Sequence, residues 1–269
     1  MDGITREIRK LTMSYQIKAY LKFLLKSTNQ HGIHSPFVFN LVTKCFYDKT
    51  IYKEYSEIEL YRASLLKNKN TIEVTDLGAG SKTTKQSKRV ITQIAKNVSV
   101  SKGRAKLLYR LISYFNYNNS LELGTSLGIG THALSMGNLN GNITTIEGCP
   151  NLAKFSREKL KQLHLYNIEV LTGDFSEILK TLKENTFDLV YFDGNHQKEA
   201  TLKYFETLLP KTHNNTVFIF DDIYWSKDMS SAWETIKQHA KVTVSIDTFH
   251  WGFIFFRKEQ QKEHFTIRL

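Results

Sequence analysis

The chain has 269 residues, 41% hydrophobic and 23% charged, with 37 Lys+Arg against 26 Asp+Glu and a formal net charge of +11. That composition excludes fibrous and disordered classes, and the length suffices for one large domain or one domain with an appendage. Two cysteines, Cys45 and Cys149, exclude a Cys-x-x-Cys zinc site and a disulfide framework, and such low use fits a reducing cytosol.

The charge is unevenly placed. Residues 1–118 carry 21 basic and 8 acidic side chains, the remainder 16 and 18, so the whole excess lies in the first part. Such basicity points to nucleic acid, an anionic surface or an acidic substrate, or simply to a solvated helical surface. No run of about 18 apolar residues reads as a membrane span, and the N-terminus has no secretory-type apolar core.

In chain order, Ile4, Ile8, Leu11, Tyr15 and Ala19 predict a first helix that ends before Ser27-Thr28-Asn29-Gln30. His31-Gly-Ile-His34 reads as a turn, with Ser35 as N-cap and Pro36 opening a helix to about Tyr47. A third helix is expected over about 53–67, an irregular stretch over 71–85, and two more helices over about 85–96 and 101–114. From there short apolar runs (120–123, 143–146, 168–171, 189–192, 217–220) alternate with helical segments, which predicts βαβ units and a parallel sheet. The runs 242–246 and 251–256 lie too close for a crossover and predict an antiparallel hairpin. The expected organisation is a helical, basic region over 1–118, which could form a substrate lid, followed by an α/β domain over 119–269.

The sharpest motif is Glu122-Leu-Gly124-Thr-Ser-Leu-Gly128-Ile-Gly130, set between a strand and a helix. Glycine at 124 and 128 permits a tight turn and close approach to a ligand, and Gly130 permits close helix–strand packing. Glu147 ends the next strand, where an acid can bind a ribose hydroxyl pair. In Gly173-Asp174-Phe175 after the third strand, Asp174 can accept from an adenine amino group, with Phe175 packing nearby. A dinucleotide turn shares this context, but here Glu122 precedes the first glycine and the glycine order is reversed.

These motifs, in this order over about residues 105–257, resemble the class I S-adenosylmethionine-dependent methyltransferase family. The resemblance implies a Rossmann-like, doubly wound, mostly parallel seven-stranded sheet with an antiparallel last strand. It implies that Glu122, Gly124, Gly128 and Gly130 hold the methionine part of S-adenosylmethionine, that Glu147 binds its ribose, and that Asp174 and Phe175 meet its adenine.

Asp193-Gly-Asn-His196 ends the fourth strand and Asp221-Asp222 the fifth, so the three acids should converge beyond the strand ends. Carboxylates that close repel unless protonated or bound to a cation, and oxygen ligands favour Mg²⁺ or a similar divalent ion. This set resembles the metal-dependent O-methyltransferases. That implies Asp193, Asp221 and Asp222 as metal ligands and His196, with Asp193, as the catalytic pair; metal-free relatives keep acids at the same strand ends.

Tyr224 and Trp225 are the aromatic residues expected at a substrate pocket, with Trp233 and Trp251 read as core. His31-Gly-Ile-His34-Ser-Pro resembles a leader found ahead of this domain in some bacterial methyltransferases. Asp76-Leu-Gly-Ala-Gly80 resembles a nucleotide loop but has no acidic strand end after it, nor a P-loop ending. The function expected is methyl transfer to a hydroxyl of a small-molecule acceptor in the cytoplasm, with a homodimer as the assembly considered. The alternative is an RNA or other nucleic-acid methyltransferase using the basic region, although no Asn-Pro-Pro-Tyr type motif is present.

Overall fold

Strands with no polar face must be covered on both sides. Strands β6 (Leu189–Phe192), β7 (Val217–Asp221), β8 (Val244–Asp247) and β9 (Trp251–Phe255) bury every residue they carry. Residues 2–75, 87–184 and 186–269 are described in the computed structural model, with side chains described from Ser14 onward and that of Ser87 excepted. The N-terminal part comprises α1 (Asp2–Lys26), α2 (Pro36–Leu41), α3 (Glu54–Lys67), β1 (Thr71–Val74), β2 (Ser87–Val90), α4 (Ile91–Asn97) and α5 (Lys102–Phe115). Then follow β3 (Asn119–Leu123), α6 (Ile129–Gly137), β4 (Asn142–Glu147), α7 (Pro150–Gln162), β5 (Ile168–Thr172), α8 (Phe175–Thr181), α9 (Lys198–Leu208), α10 (Lys227–Gln238) and β10 (Glu263–Thr266).

The main sheet has the order β10-β8-β9-β7-β6-β3-β4-β5. Strand β9 runs antiparallel to both β7 and β8, and the other pairings are parallel. The chain builds outward from β3 in one direction through β4 and β5, then returns to β6 on the other side. That reversal opens a crevice beyond the ends of β3 and β6, where α/β sheets bind ligands.

Each face of the sheet has its own core. Leu189, Tyr191, Val217 and Ile219 point to one face and pack with side chains of α2 to α7. Val190, Phe192, Phe218 and Phe220 point to the other, under α8, α9 and α10. Helix α5 supplies Leu107, Leu108, Leu111 and Ile112 to the first core, which therefore continues across residue 118. The close approach of α5 and α6 requires Gly137, where a Cβ would lie 2.5 Å from Ile112.

The N-terminal helices follow their expected signals. Ser35 caps α2, its Oγ accepting from Val38 N, and Pro36 occupies the first turn. The helix continues to Phe46 as a wider π turn, whose Cys45 and Phe46 carbonyls accept from the Arg110 guanidinium of α5.

Two expectations are corrected. The stretch expected to be irregular from residue 71 begins with β1, and the helix expected from 85 begins as β2; the two pair antiparallel, and α4 starts only at Ile91. Thr71, Ile72 and Val74 are β-branched residues suited to such a ribbon. The Asp76–Gly80 loop lies outside the described residues. Among the described residues the sheet also has eight strands rather than seven, because β10 adds to the edge of β8 in parallel. Its Glu-His-Phe-Thr sequence has no apolar run to mark it, since an edge strand keeps one side in solvent. Beyond it, Thr28 N donates to the Thr266 carbonyl and Arg268 N to the Thr28 carbonyl, tying the segment after α1 to this edge.

Trp233 of α10 is 1% exposed, and a Cβ on Gly252 of β9 would lie 2.6 Å from its ring. Trp233→Ala is expected to cost about 3–5 kcal/mol, read as a lower urea midpoint with an unchanged slope.

Candidate active site

The glycine turn after β3 is shaped by what lies against it. Gly124 has φ +109°, and a Cβ there would sit 2.2 Å from the Asp193 carbonyl oxygen at the end of β6. Gly128 has φ +78° and caps α6. A Cβ on Gly130 would lie 2.5 Å from the Glu122 carboxylate. Glu122 is fully buried, where it accepts from the hydroxyls of Thr131 and Thr145. Burial pushes its carboxyl up to about 7 despite those two bonds. Its first task is therefore to pin the turn to the sheet, although it also lines the crevice.

Glu147 stands at the tip of β4, as expected. Its Oε2 accepts from Ser126 N (2.8 Å) and its Oε1 from Cys149 N (2.9 Å), which fixes the carboxylate between two loops. Asp174 caps α8 by accepting from Ser176 N (2.8 Å). The Phe175 ring packs edge-on against Tyr204 at 5.7 Å, and Gly194 leaves room for it. Glu147, Asp174 and Phe175 line one cavity of about 340 Å³ together with Ser126, Asn195 and Trp225. Ser126 Oγ is buried without a partner in this wall.

An adjoining cavity of about 300 Å³ holds the acids and shares Ser126, Asp193, His196 and Trp225 with the first. Tyr191 OH donates to Asp193 Oδ2 (3.0 Å) and lies 3.4 Å from Asp221 Oδ2. Arg104 Nη1, from the first turn of α5, donates to Asp221 Oδ1 at 2.8 Å, and Asp222 N donates to the same oxygen. Burial and the Asp221 charge hold the Asp193 carboxyl well above the usual carboxylate range. Burial and Asp221 also raise Asp222 to about 6, against the pull of His196 and Arg104. Asp222 adopts φ +53°, a left-handed turn that aspartate tolerates better than most residues.

Asp193, Asp221 and Asp222 thus meet, with His196 close enough to act on Asp222, but the donor set does not fit a divalent ion. Asp221 Oδ1 is taken by a guanidinium and a backbone N–H. Among the described residues no group of three His, Cys, Asp or Glu could hold a metal. Of the two expected pocket aromatics, Trp225 lines both cavities and is 51% exposed. Tyr224 instead stacks on Phe249 and donates to Asp247 Oδ2. His31 and His34 are exposed and line neither cavity.

Arg104 was not legible as a site residue, nor was the 97–100 loop that lines the second cavity beside it. One signal was present. A cation in the first turn of a helix opposes the helix dipole, so it needs a partner elsewhere.

Residues 121–223 match a family model described as a methyltransferase domain. This part of the chain is similar to methyltransferase domains. The chain is 28% identical over 128 residues to a catechol O-methyltransferase of Mycobacterium tuberculosis, covering 47% of this chain and 57% of that relative. It therefore spans little more than half of that relative's length. Among solved structures, a methyltransferase of Podospora anserina bound to S-adenosylhomocysteine aligns with TM-score 0.59 and 15% identity, over 84% of this chain and 97% of its own. An O-methyltransferase of Bacillus cereus, also with S-adenosylhomocysteine, aligns with TM-score 0.54 and 20% identity, over 79% and 93%. At such identities these likenesses show the fold, and the crevice lies beyond the strand ends, where such a fold binds ligands.

A raised carboxyl value means that the folded protein keeps a proton on Glu122 that the unfolded chain releases. Stability is then fullest below the ordinary value of 4.5 and declines as pH rises through about 7. Glu122→Gln should flatten that decline and leave the protein about 1–3 kcal/mol more stable than wild type at alkaline pH, as measured by denaturant unfolding across pH.

Proposed function

We propose that the protein transfers the methyl group of S-adenosylmethionine to a hydroxyl of a small-molecule acceptor. The observation that carries this reading is the continuity of the two cavities. The cavity lined by Glu147, Asp174 and Phe175 runs directly into the one lined by Asp193, His196 and Asp222. The residues fit the cofactor: the glycine turn forms a cradle that a Cβ would fill, and Ser126 Oγ is a buried polar atom without a partner. S-Adenosylmethionine supplies an activated methyl on sulfur and leaves as S-adenosylhomocysteine.

The chain's own residues do the rest. Glu147 is held at the tip of β4 by Ser126 N and Cys149 N, where a carboxylate can meet a ribose diol. Asp174 is held in place by its cap bond, beside the Phe175–Tyr204 edge that gives an adenine a flat wall. Trp225 offers an exposed flat face at the mouth of both cavities, suited to a ring-bearing acceptor. An alcohol is a poor nucleophile, so His196 takes the acceptor proton as the oxygen attacks the methyl carbon. Holding acceptor and methyl in line supplies much of the remaining rate. The catechol O-methyltransferase relative supports a hydroxyl acceptor.

Calorimetry with S-adenosylmethionine tests this reading. The wild type should bind, whereas Glu147→Ala and Gly124→Arg should not, the latter because no side chain fits 2.2 Å from the Asp193 carbonyl. Failure of the wild type to bind sinks the proposal. His196→Gln should keep cofactor affinity and lower turnover by about 10²–10⁴-fold, measured as acceptor-dependent release of S-adenosylhomocysteine.

A further inference from the structure

We propose that Arg104 takes the place of a divalent cation in this site, so that the acid cluster is balanced from within the chain and acceptor binding requires no metal. This rests on the site assignment above for its chemistry, but the geometry stands without it. Three carboxyl groups converge at the ends of β6 and β7, and their mutual repulsion is relieved by protonation or by an opposite charge among them. That charge is present. Arg104 Nη1 lies 2.8 Å from Asp221 Oδ1, in an ion pair whose carboxylate is 8% exposed.

The guanidinium is fixed from three sides. Asp221 accepts from it, Ser101 Oγ lies 3.4 Å from its Nε, and the Trp251 ring lies 6.0 Å from its central carbon. Ser101 is also the N-cap of α5, so the cap that starts the helix helps to aim the cation. A guanidinium stays charged at any working pH and presents five N–H groups in a rigid fork. One meets Asp221 and one faces Ser101, and Arg104 lines the second cavity together with Asp193, His196 and Asp222.

The ligand chemistry a metal requires is lost in the same arrangement. Asp221 Oδ1 already accepts from Arg104 and from Asp222 N, and Tyr191 OH stands between Asp193 and Asp221. A cation of the Mg²⁺ kind needs about six oxygens at short range, and it would have to displace a charged side chain to reach them. Arg104 can do part of that ion's work. Its free N–H groups donate to the acceptor oxygen and hold it beside the methyl donor. The acceptor proton passes to His196, the new carbon–oxygen bond forms as the carbon–sulfur bond breaks, and the electron pair stays on sulfur. No co-reactant beyond the cofactor is needed.

The test is a Mn²⁺ titration followed by electron paramagnetic resonance, on wild type, Arg104→Gln and Arg104→Lys, with cofactor affinity measured separately. Wild type is expected to bind no Mn²⁺ and to lose no methyl transfer on treatment with chelator. Arg104→Gln should gain a stoichiometric Mn²⁺ site, because three acids are left without their cation, and should lose transfer while keeping S-adenosylmethionine affinity. Arg104→Lys should stay metal-free and regain part of the transfer. Stoichiometric Mn²⁺ binding by wild type, or transfer abolished by chelator and restored by Mg²⁺, overturns the proposal without any variant having to fold. A folded Arg104→Gln that binds no Mn²⁺ and transfers at the wild-type rate overturns it equally. Loss of cofactor binding in wild type reports instead on the functional reading above.

Discussion

The site depends on one steric fact, the contact between the backbone of Gly124 and the carbonyl of Asp193. At that point β3 and β6 part company, the chain having built the sheet in two directions from β3. Only a residue without a side chain lets the loop after β3 press against the end of β6. That contact sets the floor from which the glycine turn, Glu147 and the acid cluster are all measured. The Thr125–Thr145 and Glu122–Thr145 hydrogen bonds then lock the turn to β4. The crevice is therefore a rigid feature of the strand ends with side chains added to its rim.

The helices before residue 118 belong to this rigidity. They cover the face of the sheet that α8 to α10 leave open, and α5 presses on α6, whose N-terminus forms the glycine turn. Tyr61 of α3 donates to the Leu127 carbonyl inside the same turn at 2.6 Å. Part of the positive charge in this region is also spent internally. Lys102 and Lys106 pair with Glu59, Arg104 pairs with Asp221, and Arg110 caps two carbonyls. Read as a whole-chain sum, the charge looked like an affinity for polyanions; read residue by residue, part of it is mortar.

The sequence was most legible where a pattern is dictated by local sterics or by two-sided burial. The glycine turn, the all-buried strands, the acids at strand ends and the Ser35-Pro36 cap each leave a signature that needs no partner to be seen. Strand β10 left none, because Glu263 to Thr266 gains its place from β8 rather than from its own apolar content. Arg104 was hidden for a related reason: its role comes from Asp221, 117 residues away, and no spacing rule connects them. Tyr224 and Trp225 show the limit of adjacency. They are neighbours in sequence, yet one turns into a stack with Phe249 and the other faces the cavities.

The pairing of Thr28 with the β10 edge has a consequence in time rather than in space. Its backbone partners are Thr266 and Arg268, which leave the ribosome last among the residues that matter to this sheet edge. Until they arrive, α1 has no strand to follow into, and Gln16 has no Trp225 carbonyl to hold until α10 is in place. Helix α1 is thus seated later than the helices that follow it. A nascent chain of this kind would carry α1 undocked until this sheet edge and α10 are in place.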